Sequence, residues 1–152
     1  MNMNDFKNPT PTKPAPPTTP AASSLAIVFD PVSETLFDKT AKAWAEKLNK
    51  ARQAKKDSNK STQLRRFYDE ICMWAEKVGN DPKKYEDLIP FIRMLNAKTA
   101  YAHGRKELVD QGFVELVDKS LKQVKDPKTL QCFKLFMEAI MGFYKELEQH
   151  SN

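Results

Sequence analysis

The sequence predicts an all-α protein, a bundle of about five helices that follows a disordered N-terminal tail rich in proline and threonine. After residue 30, apolar residues recur at intervals of three and four, which is the spacing of one helix face. No run shows the period-two alternation of a strand. With 152 residues, of which 40% are hydrophobic, the chain can bury one modest core. We therefore expect a tail over residues 1–30 and a single helical domain over residues 31–149.

The tail is defined by its prolines, which lie among Thr, Ala and Ser. They are Pro9, Pro11, Pro14, Pro16, Pro17 and Pro20. Such a segment cannot bury enough apolar surface to offset its ordering entropy, which favours disorder. We expect a spacer rather than a docking segment for a proline-binding partner. A short apolar patch, residues 25–29, would attach the end of the tail to the body.

The first helix is predicted to begin at Asp30-Pro31, because proline suits a first helical turn and Asp30 or Ser33 can cap it. One face is apolar and the opposite face is basic. The apolar face holds Phe37, Ala41, Trp44, Leu48 and Ala51, and the basic face holds Lys39, Lys42, Lys50 and Lys56. The first helix is therefore expected to pack on one side and to present lysines on the other.

The second and third helices are separated by turn residues. The second follows the polar segment 55–62, buries one apolar stripe and ends near Gly79-Asn80. That stripe is Leu64, Phe67, Ile71, Trp74 and Val78. Asp81-Pro82 restarts the chain, and a third helix is predicted from about residue 85 or 88 to Ala102, with Pro90 tolerated only in its first turn. Gly104 is the expected break before the next helix.

The last two helices are predicted over residues 106–125 and from Asp126-Pro127 onward. The closing helix has the widest apolar stripe, so we expect it to be the most enclosed and to serve the core more than a neighbouring protein. Its stripe is Leu130, Phe133, Met137, Ile140, Tyr144 and Leu147, widened by Phe136, Met141 and Phe143.

Composition excludes several classes of protein. No apolar run approaches the roughly 18 residues that a membrane span needs, and no hydrophobic signal core follows Met1, so we expect a soluble, cytoplasmic protein. Cys72 and Cys132 are expected to be buried free thiols, because they fall within helical patterns without metal-ligand spacing. With two histidines, His103 and His150, and four scattered glycines, the chain offers neither a metal cluster nor a phosphate-binding Gly-rich loop. We predict no enzymatic activity, no metal and no cofactor.

The net charge of +5 is concentrated in one segment. Residues 39–66 carry ten basic and two acidic side chains, whereas the segments before and after are close to neutral. This is the pattern of a polyanion-binding surface. The competing interpretation is that the lysines only keep the protein soluble.

Two blocks join cations to aromatic residues. Lys98, Tyr101 and Arg105 fall on one line of a helix, beside an apolar stripe of Phe91, Leu95 and Ala102. Two cations around an aromatic ring suit an RNA backbone and an unstacked base. The alternative is that Tyr101 flanks the core and that both charges are merely solvated.

The second block lies at the start of the second helix, directly after the lysine-rich loop that contains Lys56 and Lys60. Arg65 and Arg66 project from its first turns, where the helix dipole already favours an anion. A phosphate there would bind the free backbone N–H groups and the arginines together. The competing explanation is a local salt bridge between Arg66 and Glu70.

These blocks resemble the small all-helical subunit of type III-A CRISPR effector complexes, the Csm complex. The resemblance rests on Gln63–Tyr68, Leu95–Arg105 and Phe133–Lys145, which together cover most of the folded body. It implies a five-helix bundle without nuclease activity that stacks as repeated copies, contacts guide RNA and target RNA, and assembles with other subunits in antiviral defence. The proline-rich tail and the basic first helix match this family less well.

Carried over to this chain, the resemblance implies that Arg65, Arg66, Lys98 and Arg105 contact the RNA backbone, with Tyr101 structural rather than stacking. Lys56 and Lys60 are expected at the RNA only from the charge count. Sequence specificity would come from base pairing between guide and target. Two alternatives remain: the small subunit of a type III-B complex, and a helical protein–protein adaptor without a nucleic-acid role.

Overall fold

The computed structural model describes residues 25–150, which form six α-helices and one π-helical turn. The π-helical turn, Leu36–Thr40, leads directly into α1. The helices are α1 (Ala41–Ala54), α2 (Ser61–Val78), α3 (Pro82–Ile92), α4 (Leu95–Gly104), α5 (Gln111–Gln123) and α6 (Pro127–His150). Over the described residues there is no β-strand, only an isolated bridge. The predicted all-α bundle is confirmed, with the third predicted helix divided into α3 and α4. The prolines of the predicted tail, Pro9 to Pro20, lie outside the described residues.

The first helical segment begins later than the sequence predicted. Its π-helical turn starts at Leu36, and neither Asp30 nor Ser33 caps it, because Thr35 holds the N-cap position. Pro31 instead lies in a turn enclosed by the bridge between Phe29 and Val32. A proline is equally suited to a turn, so Pro31 marks a turn before the helix rather than the start of the helix.

The apolar patch before this turn packs onto the body, as predicted. Ile27 is 7% exposed and Phe29 is 2% exposed. The Phe29 ring lies 6.1 Å from that of Phe133. The indole Nε1 of Trp44 donates to the carbonyl of Leu25 at 3.1 Å. The folded body therefore includes residues before the predicted boundary at residue 31.

The core is organised around α6, which packs against both α1 and α2. Its apolar stripe is buried, and the side chains of Phe133, Phe136 and Tyr144 are fully enclosed. Each large apolar side chain so buried contributes about 1.5–3 kcal/mol relative to its exposed state. The prediction that the closing helix serves the core is confirmed.

Local signals mark the ends of several helices as expected. Helix α2 ends at Val78 and is followed by Gly79, whose φ of +57° is readily available only to glycine. Asp126 begins α6 by accepting a 2.7 Å hydrogen bond from the backbone N–H of Thr129. This bond is the main reason that the pKa of Asp126 lies below its usual value. The carboxylate thus stabilises α6 in its ionised form.

Pro90 lies inside α3 near its C-terminal end, so the expectation that it must occupy a first turn was wrong. Pro90 removes one backbone N–H donor, and the helix ends only two residues later at Ile92, before the bend at Arg93 and Met94. Arg93 holds this bend by donating to the carbonyls of Leu121 and Val124, both at 3.3 Å, where α5 ends. A cation at the C-terminus of a helix also complements the helix dipole.

The two thiols differ in environment. Cys132 is buried as predicted, whereas Cys72 is only partly buried, which corrects the prediction for that residue; both are free. A hydrogen bond between Cys72 and Tyr68 is the main cause that raises the pKa of Tyr68 to about 12, with burial adding to it. Cys72 escapes full burial because it lies beside a cleft between α2 and α6.

Among residues 25–150, no helix is both long enough and apolar enough to cross a membrane.

Candidate nucleic-acid interface

The six predicted RNA-binding cations lie on three segments that the fold connects. Lys56 and Lys60 belong to the loop between α1 and α2, Arg65 and Arg66 to the first turns of α2, and Lys98 and Arg105 to the region of α4. An ion pair of 3.1 Å between Lys55 and Glu107 joins the first loop to the loop after α4. The two blocks found in the sequence are thus neighbours in the structure.

Asn59 holds the lysine-rich loop in place. It is fully buried and has a φ of +56°, a conformation that asparagine adopts more readily than most residues. Its backbone N–H donates to the carbonyl of Leu108 at 3.0 Å, and its carbonyl accepts from the hydroxyl of Tyr144. The side-chain Nδ2 donates to the carbonyl of Leu48 at 3.1 Å. Every polar group of this residue is therefore used to connect separate parts of the fold.

Asp110 completes this arrangement. It receives a 2.9 Å hydrogen bond from Nδ2 of Asn59, and its backbone N–H donates to Oδ1 of Asn59 at 2.9 Å. The same carboxylate begins α5, accepting from the backbone N–H groups of Gly112 and Phe113 at 3.0 Å each. A Cβ atom on Gly112 would lie 2.9 Å from Oδ2 of Asp110, so glycine leaves the room that this cap needs. We call Asn59, Asp110 and Tyr144 the Asn59 hub.

The hub could not be predicted from the sequence. Asn59 was assigned only to a turn-rich segment, and the one local signal was the tendency of asparagine to adopt a positive φ. Its long-range partners could not be inferred from spacing.

The two arginines of α2 differ in their surroundings. Both are exposed, but Nε of Arg65 lies 3.5 Å from Oδ1 of Asp69, whereas Arg66 has no ion-pair partner among the described residues. The alternative pair between Arg66 and Glu70 is not formed. Glu70 binds Nζ of Lys98 instead, at 2.5 Å, which joins α4 to α2. Arg66 is thus the freer of the two cations.

The predicted line of Lys98, Tyr101 and Arg105 is present, although α4 ends at Gly104 and Arg105 follows its last residue. Tyr101 is 68% exposed, so its interpretation as a packing residue was wrong. Phe91 is 55% exposed and does not extend the buried stripe, which is formed here by Leu95 and Ala102. The reason is that the neighbouring helices cover only one side of α4.

Ion pairs reduce the charge excess of residues 39–66. Lys47 pairs with Glu115 at 3.5 Å, and Arg52 pairs with Glu148 at 2.9 Å, so carboxylates from α5 and α6 neutralise part of it. Lys60 pairs with Asp57 at 3.3 Å. Within the described part of the chain, the exposed basic residues of this segment without such a partner are Lys39, Lys42, Lys50, Lys56 and Arg66.

The N-terminus of α2 has no side-chain cap. Lys60 holds the N-cap position and its side chain cannot accept a hydrogen bond. The hydroxyl of Ser61, the first helical residue, donates to Oε1 of Glu148 at 3.3 Å. The first backbone N–H groups of α2 therefore lack an acceptor from a capping side chain, next to Lys60 and one turn before Arg65.

Metal-ligating residues do not gather anywhere in residues 25–150. His103 instead lies with Nδ1 3.0 Å from the carbonyl of Val109, where it supports the loop after α4.

Comparison with known proteins gives one match. A family model described as Csm2 Type III-A matches residues 33–150, which is well over half of the chain. The match includes the basic first helix, which was expected to resemble the family less well, and it begins after the proline-rich segment. The searches of curated proteins and of solved structures each find no match.

Proposed function

The chain belongs to the Csm2 Type III-A family and is therefore a small subunit of the type III-A CRISPR complex, and from this premise we propose that it binds RNA without catalysing a reaction. In this proposal, a basic surface contacts the phosphate backbone of guide RNA and target RNA. Membership also implies association with other subunits of that complex. Contacts between copies of this chain and a cytoplasmic location are part of the same proposal.

The observation that carries the proposal is the placement of unpaired cations around the Asn59 hub. Lys56, Arg66 and Arg105 are exposed and have no ion-pair partner among the described residues. The hub joins the loop before α2 to the loop after α4, and the pair of Lys98 with Glu70 joins α4 to α2, which supports a shared surface for these cations. Phosphate groups bind such cations with little sequence preference.

The N-terminus of α2 adds a second kind of phosphate contact. Its uncapped N–H groups and the positive end of the helix dipole favour an anion. Arg65 and Arg66 lie in the next turn and can bind the same anion through charge-assisted hydrogen bonds. The phosphate hypothesis for this helix end thus rests on the N-cap residue Lys60, whose side chain supplies no acceptor.

Replacing Arg65, Arg66 and Arg105 with alanine tests the proposal. Three lost phosphate contacts should weaken RNA binding and reduce the slope of log affinity against log salt by about 2 for single-stranded RNA. Helicity and melting temperature should change little, since these side chains are exposed. Binding is measured by fluorescence anisotropy at two or more salt concentrations, with the full chain alone and with the complex that co-purifies with it.

A matched control removes three exposed cations elsewhere: Lys84, Lys125 and Lys128. Lys128 lies sixteen residues before Tyr144 on α6, about 24 Å from the Asn59 hub. The control should retain most of the affinity. If both triple variants lost the same RNA affinity, the phosphate contacts would lie elsewhere on the chain. If neither the chain nor its complex bound RNA, the proposal would be overturned in favour of a protein–protein adaptor.

A further inference from the structure

Three large apolar side chains near the bend between α3 and α4 are the most exposed of their kind in the described part of the chain. Phe91 is 55% exposed, Met94 is 52% exposed and Tyr101 is 68% exposed. The backbone N–H of Met94 donates to the carbonyl of Phe91 at 3.2 Å, so these two residues lie in one turn. Tyr101 follows two turns later, about 10 Å further along α4. Exposed apolar residues grouped in this way indicate a binding surface.

Cations alternate with these apolar residues. Lys98 lies four residues after Met94 and three before Tyr101, and Arg105 follows Tyr101 by four, which puts all of them on one side of the helix. The Lys98 side chain remains 45% exposed although it pairs with Glu70. We call Phe91, Met94, Lys98, Tyr101 and Arg105 the α4 stripe.

We propose that the α4 stripe binds unpaired RNA bases, with the ring of Tyr101 as the stacking surface and with Lys98 and Arg105 on the flanking phosphates. This inference rests on the proposed function and narrows it to single-stranded RNA. Bases within a duplex are stacked on one another, so only an unpaired base can place its face on an exposed aromatic ring. The 10 Å from Met94 to Tyr101 matches the rise of about three stacked nucleotides.

The charge of the stripe favours RNA over a protein partner. Aromatic residues, Met and Arg are common at protein–protein interfaces as well, but lysine is depleted from their centres, and Lys98 lies in the middle of the exposed apolar residues. A strand that brings phosphates and bases alternately satisfies both kinds of side chain. A protein partner remains an outcome of the test.

The test compares RNA with and without bases. The full chain is titrated at low salt with a labelled oligouridine of about 12 nucleotides, with the same strand carrying abasic sites, and with the strand annealed to its complement. Wild type should bind the base-bearing strand at least about fivefold more tightly than the abasic strand, as expected for stacking of one base. Tyr101→Ala should lose this preference, and Tyr101→Phe should keep it.

Two further variants serve as controls. Leu135→Ala removes another apolar side chain, 46% exposed on α6, and should leave the preference unchanged. Tyr101→Leu keeps apolar area without a ring and should behave like Tyr101→Ala. Circular dichroism checks that each variant folds. The wild-type comparison of the base-bearing and abasic strands tests the inference even if a variant does not fold.

Three outcomes would overturn the inference. Equal binding of base-bearing and abasic strands by wild type would leave phosphate contact as the whole interaction, with the proposed function intact. If Tyr101→Leu kept the full preference for the base-bearing strand over the abasic strand, stacking on an aromatic ring would be excluded. Unchanged RNA binding by Tyr101→Ala, with loss of co-purifying subunits, would make the stripe a protein interface. Failure of wild type to bind any of the three RNAs would instead count against the proposed function itself.

Discussion

The Asn59 hub and the α4 stripe both adjoin the candidate interface but differ in almost every physical respect. In the hub, Asn59 is buried and bonds to Leu48 of α1, to the N-cap residue Asp110 of α5 and to Tyr144 of α6. In the stripe, large apolar side chains are exposed beside cations, and Tyr101 contributes nothing to the core. The comparison teaches that this surface has a part that holds the fold and a part that is free to contact a partner. Substitutions should therefore separate stability from binding.

The largest effect is expected from Asn59→Ala. It removes the side-chain bonds to Leu48 and Asp110 and leaves the backbone N–H of Asp110 without its acceptor. Alanine also tolerates the positive φ at this position less well than asparagine does. We expect a loss of about 3 kcal/mol in the free energy of unfolding. Urea denaturation measures this loss. Tyr101→Ala is the control and should unfold near the same urea concentration as wild type.

Asn59→Gly serves as the control for backbone conformation. Glycine adopts the positive φ without strain but makes no side-chain bond. If Asn59→Gly were as stable as wild type, the side-chain bonds of the hub would be unimportant and the contrast with the stripe would disappear.

A smaller effect is expected from Tyr144→Phe, which removes only the hydroxyl that bonds to the carbonyl of Asn59. The expected cost is about 1–2 kcal/mol near neutral pH, because a buried carbonyl loses its partner. Urea denaturation of both proteins measures this difference, and an unchanged free energy of unfolding would mean that the hydroxyl does not hold the hub.

The difference in the free energy of unfolding between wild type and Tyr144→Phe should also depend on pH. Burial raises the pKa of Tyr144, with Arg52 opposing this in part. A raised pKa in the folded state gives stability that is complete below the unfolded pKa of about 10 and is lost as the pH rises through the folded value. Tyr144→Phe lacks this loss, so the difference between the two proteins should narrow in alkaline solution.

The smallest effect is expected from Glu70→Gln, which frees Lys98 from its ion pair and removes a negative charge one turn after Arg66. The pair is partly exposed, so stability should change by less than about 0.5 kcal/mol. RNA affinity should rise a few-fold at low salt and less at high salt. The control is Asp87→Asn, which neutralises the ion-pair partner of Lys83 on α3. An equal gain in RNA affinity for this control would show a general effect of net charge.

The sequence predicted the parts of the fold that local chemistry determines. The end of α2 at Gly79 and the start of α6 at Asp126-Pro127 depend on residues within one turn of each boundary. Phe91 and Tyr101 were misjudged for a different reason. Helical spacing identifies the residues that share a face, but only the packing of neighbouring helices decides whether that face is covered.

The cations of the candidate site could be proposed from the sequence, whereas their ion pairs could not. The alternative pair of Glu70 with Arg66, four residues before it, is not formed, and Glu70 binds Lys98, which is 28 residues away. Lys55 likewise pairs with Glu107 across two loops. Such choices depend on tertiary neighbours, so a charge count overestimates the free positive charge of residues 39–66.

The hub also has a consequence for the order of folding. Asn59 bonds to Asp110 across 51 residues and to Tyr144 across 85. Contacts of such separation form at the expense of much loop entropy, and they require the whole chain from Asn59 to Tyr144. A chain still emerging from the ribosome holds Lys56 and Arg66 long before Tyr144 is available. The lysine-rich loop therefore takes its final conformation only once α6 has been made and docked, which couples its geometry to completion of the chain.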